Sequence, residues 1–191
     1  CLLEAKTQTR RKLKEQPIID QDSGYVFWNK HKYQFDIHSW KDDIIEHNPY
    51  GLPGDRLWVR EAVSNLGDDF YAYRADGKVY DITGHFKGGV KLEIEPRWTP
   101  SIHMPKIASR LWLEITNIGI ERLQDINRED IRKEGVGLPV SARFSPEPDG
   151  LSELHQEWKY LWISINGRES WDENPWVWVV SFKVISKTGL K

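Results

Sequence analysis

The feature that most constrains the fold is the run WVWVVSFKV at residues 176–184. It consists mostly of β-branched and aromatic residues, which favour β-strands, and Pro175 stands immediately before it. Because apolar side chains occupy both odd and even positions, the pattern predicts a strand that is buried on most of both faces. Such a strand lies at the centre of a sheet, so we expect the core to form around it.

Shorter segments with alternating apolar residues are separated by turn signals such as Asp76-Gly77. They predict further strands at residues 25–28, 33–37, 57–62, 70–74, 79–82, 90–94 and 110–116. Two stretches have helical spacing instead: residues 128–134, which follow the capping residue Asn127, and residues 151–165. This pattern predicts an α+β, mainly β fold, a single domain built as a small mixed β-barrel with flanking helices.

Composition excludes several classes of protein. The 191 residues carry 27 Lys and Arg against 29 Asp and Glu, and a net charge of −2 disfavours a general DNA-coating protein. The single cysteine, Cys1, excludes a disulfide scaffold and a CxxC metal site. No apolar run approaches the roughly 18 residues of a membrane helix. We therefore expect a cytoplasmic protein with no metal, no cofactor and no membrane partner.

Tryptophan is several times more frequent than usual, with ten residues. Five of them lie on predicted strands or on the predicted amphipathic helix and are assigned to the core: Trp112, Trp158, Trp162, Trp176 and Trp178. Trp58 and Trp98 stand near basic residues and are the candidates for stacking on a base.

The first residues look like the end of a helix rather than the start of a chain. The sequence begins with Cys1, and Leu2-Leu3-Glu4-Ala5 is typical of a last helical turn. We therefore expect an initial strand and turn to precede this sequence in the natural protein.

Positive charge is concentrated in two segments. Residues 6–14 contain five basic residues and no acidic residue, and residues 97–110 contain three more together with His103. Two such segments can form a confined site for an anion in an otherwise neutral protein. The same counts also fit loops whose Lys and Arg side chains are simply solvated.

Three residues from different parts of the chain could perform nucleophilic or acid–base chemistry. The hydroxyl of Thr9 would become nucleophilic beside a base, and a desolvated Lys6 could serve as that base. Glu134 ends a short helix, where the helix dipole disfavours its charge, and a partner such as Lys6 would explain its position. Taken singly, each residue also fits an ordinary solvated surface.

The loop at residues 97–105 could present a surface for a base. Trp98 offers a stacking platform and His103 a titratable donor or acceptor, and two prolines keep the loop non-helical. The same residues are also explained by a structural loop in which the Trp98 side chain packs into the core. The closest histidine pair, His31 and His38, lacks the spacing of metal ligands, so no metal site is predicted.

Together these segments resemble the ASCH domains, relatives of the PUA fold. Residues 5–11 (AKTQTRR) are similar to the G-x-K-T-x-T-x-R signature of that family, although Glu4 stands where the signature has Gly. Further segments resemble the larger ASCH-related proteins of phages and prophages, namely residues 54–61, 104–115, 123–136 and 161–184. The resemblance leaves two insertions unmatched, near residues 16–51 and 137–150.

The resemblance implies a PUA-like barrel whose cleft binds RNA or a modified nucleoside. Some members hydrolyse the amide of N(4)-acetylcytidine, and their motifs match Thr9 as the attacking hydroxyl, Lys6 as its base and Glu134 as a proton shuttle. The residues expected to bind the substrate are Arg11, Trp58, Arg60, Trp98, His103 and Arg110.

Three hypotheses follow for the function. The first is an amidohydrolase acting on an N(4)-acylated cytidine, and the second is a non-catalytic module that binds RNA or a nucleotide. The third is a phage accessory protein whose tryptophan-rich surface binds another protein. The first requires Lys6, Thr9 and Glu134 to converge in a concave pocket, whereas the third requires an exposed aromatic patch.

Overall fold

The computed structural model describes residues 6–81, 96–137 and 151–186. The chain divides into two compact units. The first combines Cys1–Pro53 with Thr116–Phe182, and the second combines Gly54–Ile115 with Lys183–Lys191. This division does not test whether the two units fold as one domain, so the expectation of a single domain stays a prediction.

Strands dominate the described residues, and short helices join them. The strands are β1 (Gln8–Lys12), β2 (Ile18–Asp20), β3 (Tyr25–Trp28), β4 (Tyr33–Asp36), β5 (Arg56–Trp58), β6 (Val63–Gly67), β7 (Phe70–Tyr73), β8 (Lys78–Asp81), β9 (Trp112–Arg122) and β10 (Trp176–Ser186). The helices are α1 (Trp40–Ile45), α2 (Arg128–Lys133), α3 (Leu151–Asn166) and α4 (Arg168–Asp172), and 3-10 turns cover Ser101–His103, Lys106–Ala108 and Leu123–Asp125. The predicted mainly β, α+β class is confirmed. None of these helices is long and apolar enough to cross a membrane.

The predicted central strand is confirmed as β10. It lies between β1 and β9, and β1 runs antiparallel to it with Gln8 opposite Ser181. Every residue from Trp176 to Val180 is buried, as expected for a strand with apolar side chains on both faces. β10 therefore lies at the centre of the core of the first unit.

The basic segment near the N-terminus forms β1, an edge strand that the sequence did not predict. Its sequence, QTRRK, contains no apolar residue, so the alternation that marks a half-buried strand is missing. Gln8 and Arg10 are nevertheless buried, because alternate side chains of a strand point to one face. β1 thus carries a buried arginine into the first unit.

Much of the segment near residues 16–51, unmatched by the family resemblance, forms a small sheet in the first unit. β3 and β4 form the predicted hairpin, with Tyr25 opposite Asp36, and β2 pairs with the other edge of β3. Residues 29–31 in the connection have positive φ, a backbone twist common in tight hairpin connections. α1 follows the sheet and packs Trp40 edge-on against Trp176, with 4.8 Å between ring centroids.

The two predicted helices are confirmed as α2 and α3. Asn127 caps α2, since its side chain accepts a hydrogen bond from the Asp130 backbone N–H at 2.9 Å. Both helices bury an apolar stripe in the core of the first unit, as amphipathic helices do. This core contains Leu123, Ile126, Ile131, Val136, Leu154, Trp158, Trp162, Val177 and Val179.

The second unit contains the antiparallel sheet β6-β7-β8. The β7–β8 hairpin confirms the predicted one, and Gly77 supplies the positive φ of 66° in its connection. β5 pairs with the first part of β9, with Leu57 opposite Leu113. The core of this unit comprises Val63, Tyr71, Tyr73, Met104 and Ala108. The strand predicted at residues 90–94 lies outside the described residues, as does nearly all of the second insertion.

The predicted β-barrel is not found among the described residues. Each of the three sheets has a linear strand order with two open edges, whereas a barrel requires the first and last strands of one sheet to pair. Periodicity could not reveal this, because it indicates which residues form strands but not which strands pair.

The tryptophans are used mainly inside the molecule. All ten lie in the described residues and none is exposed, and the five assigned to the core are buried. No tryptophan is therefore fully exposed, and a tryptophan-rich surface that binds another protein stays a prediction.

Candidate functional site

The candidate site is built from one face of β1 and from the end of α2, both in the first unit. Alternation along the extended chain places Lys6, Gln8 and Arg10 on one side, and Thr9 and Arg11 on the other. The burial pattern agrees, because Gln8 and Arg10 are buried whereas Arg11 is exposed. The two faces of β1 therefore meet different surroundings.

Lys6 and Glu134, which are 128 residues apart in sequence, form an ion pair. Lys6 Nζ lies 2.9 Å from Glu134 Oε2 and also donates to the Glu134 backbone carbonyl at 2.9 Å. The Glu134 side chain is 3% exposed and that of Lys6 is 32% exposed. The partnership suggested by the sequence is present, with the lysine on the solvent side.

Gly135 allows the two segments to approach this closely. It follows α2 with a φ of 85°, a left-handed conformation that favours glycine. A Cβ atom at this position would lie only 3.2 Å from Lys6 Cβ. A backbone hydrogen bond of 2.8 Å from Thr7 N–H to the Lys133 carbonyl joins the same segments. The end of α2 and the start of β1 are therefore held together.

Arg10 is the charged centre of the site, and its side chain is 0% exposed. Nη1 donates to Glu134 Oε1 at 3.1 Å and Nε donates to Glu121 Oε1 at 2.6 Å. Asp130 lies 3.5 Å from Nη2. A buried guanidinium needs such partners because an unpaired buried charge is strongly unfavourable. Glu134 is thus held by Arg10 on one oxygen and by Lys6 on the other.

The surroundings of Glu121, one of the carboxylates near Arg10, raise the pKa of its side chain. Burial raises the pKa of Glu121, and although the charge and hydrogen bond of Arg10 oppose this shift, the neighbouring Asp130 and Asp125 add to it. Glu121 therefore gains a proton at a higher pH than an isolated glutamate does.

A cavity of about 310 Å³ opens beside the Lys6–Glu134 pair. Its wall combines polar groups from β1 and the end of α2 with a mainly apolar face of α3: Lys6, Arg10, Arg11, Glu134, Trp158, Leu161, Trp162, Ile165 and Asn166. This volume, and an apolar wall with a few convergent polar groups, are typical of small-molecule sites. Ile165 is 71% exposed, so the cavity is open to solvent at the end of α3.

Comparison with known proteins assigns neither a family nor a function to the chain. No family model matches the chain, and neither a curated protein nor a solved structure is significantly similar to it. The resemblance to ASCH domains therefore stays a prediction from the motifs.

Thr9 does not join the Lys6–Glu134 pair. Its Oγ1 accepts a hydrogen bond of 2.6 Å from Arg11 Nη1 on the opposite face of β1. Strand periodicity explains this, because Thr9 is an odd number of residues from Lys6 and the two cannot share a face of an extended strand. Of the three residues expected to converge, Lys6 and Glu134 do so, and Arg11 borders the same cavity.

The other residues expected to bind the substrate belong to the second unit. Trp58 packs against its core, and the Arg60 guanidinium lies 4.7 Å from the centre of the Trp58 ring. Trp98 is partly buried beside Thr99, whose backbone bridges to β6. His103 is exposed at the end of a 3-10 turn. Arg60 therefore covers one face of the Trp58 ring, which leaves at most the other face for stacking on a base.

Arg110 is committed to partners within the second unit. Nε and Nη2 donate to the two oxygens of Glu61 at 2.8 Å, and Nη1 donates to Asp76 at 2.7 Å. Burial disfavours the charge, but the hydrogen bonds with Glu61 and Asp76 outweigh this and raise the pKa of Arg110. A structural role explains these contacts, because binding a phosphate would break a bidentate pair.

Tyr73 interacts with the charges of Arg110, Glu61 and Asp76. Its ionisation at alkaline pH therefore gives a test of this cluster. Burial raises the pKa of its phenol to about 12, although the charge of Arg110 opposes the shift. An unfolded tyrosine loses its proton near pH 10, so this contribution to stability is fully present below pH 10 and is lost as the pH rises towards about 12. We expect it to lower the free energy of unfolding by about 1.4 kcal/mol per pH unit in this window.

Urea unfolding across this alkaline range measures the effect, with Tyr73→Phe as the comparison. The Tyr73 hydroxyl donates to the Ala108 carbonyl, so Tyr73→Phe should be less stable at neutral pH and should lose stability less steeply at high pH. An equal slope in both proteins would contradict the assignment.

The described residues contain no group of three or more His, Cys, Asp or Glu side chains placed to hold a metal ion.

Most residues of the cavity wall were not predicted from the sequence, including Arg10 and the face of α3. The signal for Arg10 was its even spacing from Lys6, which becomes informative only once residues 8–12 are recognised as a strand.

Proposed function

We propose that this chain binds a nucleoside of the N(4)-acylated cytidine class in the cavity beside Lys6 and Glu134. The observation that carries the proposal is the Lys6–Glu134 pair, with 2.9 Å between Nζ and Oε2, in the wall of a cavity of about 310 Å³. The motif resemblance supports it, because Lys6 and Glu134 are the residues matched to the family's amidohydrolases. A relationship to the PUA-like fold is part of the same proposal.

The groups around the cavity suit such a ligand. Lys6 Nζ has three N–H donors and uses two on Glu134, which leaves one for a carbonyl oxygen. Asn166 supplies an amide that can both donate and accept, and Leu161 and Ile165 supply apolar surface. An acylated cytosine presents the complementary set: carbonyl oxygens, a ring nitrogen, flat apolar faces and an acyl methyl group.

A second candidate function, hydrolysis of the acyl amide, is favoured by the way Glu134 is held between Lys6 and Arg10. In this reaction a water molecule attacks the acyl carbonyl carbon and Glu134 accepts its proton. Lys6 stabilises the negative charge that develops on the carbonyl oxygen. The proton then passes to the exocyclic nitrogen as the C–N bond breaks, which yields cytidine and a carboxylic acid.

Water replaces Thr9 as the attacking group in this proposal. The Thr9 hydroxyl lies on the other face of β1, and β1 pairs with β10 over five residues. Bringing that hydroxyl to Glu134 would require this pairing to break, whereas attack by water requires no change in the strand.

Calorimetric titration with N(4)-acetylcytidine tests the binding proposal. Replacing Lys6 by methionine removes hydrogen bonds from a charged group, each worth about 1.5–3 kcal/mol, so we expect affinity to fall about 10- to 150-fold. Lys30→Met is the matched control, because Lys30 is exposed in the β3–β4 connection and does not line the cavity. Absence of binding by the parent protein at millimolar ligand would refute the proposal.

Mass spectrometry of the same mixtures tests hydrolysis. We expect the parent protein to release cytidine, and Glu134→Gln to slow this release by about 10²- to 10⁴-fold, the range for loss of a general acid–base group. Glu129→Gln is the control on the same helix, because Glu129 is exposed. Binding without release by the parent protein would leave the binding proposal standing and exclude hydrolysis.

A further inference from the structure

We propose that a second cavity in the first unit binds the neighbouring nucleotide of the same strand, so that the ligand is a single-stranded oligoribonucleotide rather than a free nucleoside. This cavity has a volume of about 510 Å³. Its lining includes cations and aromatic rings, among them Arg11, Lys12, Lys14, Trp28, His47 and Tyr50. The inference rests on the proposed function, because it names the larger ligand of which that nucleoside is one part.

The charge of the second cavity favours an anion. Three cations, Arg11, Lys12 and Lys14, line it against a single carboxylate, that of Glu15. Lys12 is paired with Glu173 at 2.5 Å, which leaves Arg11 and Lys14 to attract a ligand. Both are exposed, so neither has to leave a buried position to reach a phosphate.

Arg11 is prepared to bind a phosphate. Its Nη1 donates to Thr9 Oγ1 at 2.6 Å and to the Arg10 carbonyl at 2.8 Å, which fixes the guanidinium against β1. Its Nε and Nη2 have no hydrogen-bond partner within the described part of the chain. These two nitrogens present the planar fork that binds phosphate oxygens bidentately.

Aromatic rings line the same cavity beside these cations, including those of Trp28, His47 and Tyr50. Trp28 and Tyr33 pack against His47, with ring centroids 5.9 and 4.6 Å away, and a hydrogen bond of 2.8 Å from the Trp28 indole to a backbone carbonyl fixes that ring. Tyr50 lines the same cavity, and burial raises the pKa of its phenol although the charge of Arg11 opposes the shift. Fixed rings beside cations are the combination by which proteins bind single strands through base stacking.

The two cavities are neighbours because Arg11 and Asn166 line both. β1 is an edge strand, with Lys6 and Arg10 beside the first cavity and Arg11 reaching it from the other face. A ligand that occupies both cavities must therefore pass the edge of β1. Arg11 lies at that crossing, which is where the phosphate between two successive nucleosides would be.

The test compares free N(4)-acetylcytidine with a cytidine hexaribonucleotide that carries one N(4)-acetylcytidine, by calorimetry with the full chain. We expect the hexanucleotide to bind at least about ten-fold more tightly, with a slope of log affinity against log salt of about −1.4 for two phosphate contacts. Lys14→Glu should abolish this gain in affinity of the hexanucleotide over the free nucleoside. Lys41→Glu makes the same charge change at an exposed residue of α1 outside both cavities, and should keep it.

Tyr50→Ala separates stacking from charge. It should weaken hexanucleotide binding by about 5- to 150-fold, the range for loss of one stacked base, while the affinity for the free nucleoside stays unchanged. A hexaglutamate peptide should bind at least ten-fold more weakly than the hexanucleotide, because it offers charge without a base.

Each other result overturns a specific statement. Equal affinities for the nucleoside and the hexanucleotide would overturn this inference and leave the proposed function intact. Hexanucleotide binding that is lost in Lys14→Glu but unchanged in Lys6→Met would overturn the proposed function and leave the second cavity as an oligonucleotide site. Equal binding of hexaglutamate would overturn nucleotide recognition here, and no binding of either nucleic-acid ligand would overturn both proposals.

Discussion

Replacing Arg10 by methionine is expected to lower the free energy of unfolding by about 3–5 kcal/mol, the range for removing one partner of a buried ion pair. The wholly buried Arg10 side chain lies among Glu121, Asp130 and Glu134. Without it, the buried Glu134 keeps only Lys6 as a compensating charge among the described residues. Methionine fills much of the space of the arginine stem, so the loss reports mainly on charge and hydrogen bonds. Urea unfolding followed by tryptophan fluorescence measures it.

Arg11→Met is the matched control for this experiment. Arg11 is exposed and adjacent on the same strand, so its replacement should change the free energy of unfolding by no more than about 0.5 kcal/mol. The double variant Arg10→Met with Glu134→Gln should recover part of the loss, because it also removes a carboxylate left without its partner. Equal unfolding midpoints for the two single variants would show that the cluster does not stabilise the fold.

Replacing Leu154 by alanine should cost about 2–5 kcal/mol, because it leaves a cavity in the core of the first unit. Leu154 is fully buried on α3 and packs with Ile131 and Val177 in one cluster. Leu161→Ala makes the same chemical change on the same helix, but Leu161 is 36% exposed, so we expect a loss of about 1 kcal/mol or less. Thermal and urea unfolding of the two variants give the comparison.

The same pair separates folding from binding. Leu161 lines the first cavity and Leu154 does not, so at a temperature where both variants are folded, Leu161→Ala should weaken binding of N(4)-acetylcytidine more than Leu154→Ala does. Equal losses of stability in the two variants would mean that α3 does not pack through the face containing Leu154.

The elements that could be predicted from the sequence are those whose side chains carry the periodicity of their structure. β10, the β3–β4 and β7–β8 hairpins, α2 and α3 all have apolar residues at strand or helix spacing, or a recognisable cap. β9 extends to Arg122, well past the predicted end at residue 116. The prediction ended too early because Asn117 and Gly119 are poor strand formers by themselves. In the structure the strand nevertheless continues beside β10.

The candidate site was only partly predictable, for a different reason. Lys6 and Glu134 could be paired because a motif resemblance singled them out, but Arg10 owes its position to carboxylates more than 110 residues away in sequence. A buried arginine in a strand without apolar residues has no local signature, because its burial depends on partners that only the folded chain brings together. The role expected for Thr9 came from the motif resemblance, which does not reveal that residues 8–12 form a strand and that Thr9 therefore faces away from Lys6.

The pairing of β1 with β10 has a consequence for biosynthesis. Gln8 and Ser181 are hydrogen-bonded although 173 residues separate them, and at about 5–20 residues per second the ribosome needs roughly 10–35 s to pass from one to the other. During that interval Arg10 and Arg11 have no strand to pair with. Closing so long a loop is also entropically costly and slow. The candidate site is therefore among the last of the described parts of the chain to form, and a nascent chain cannot bind its ligand there before almost all described residues have been made.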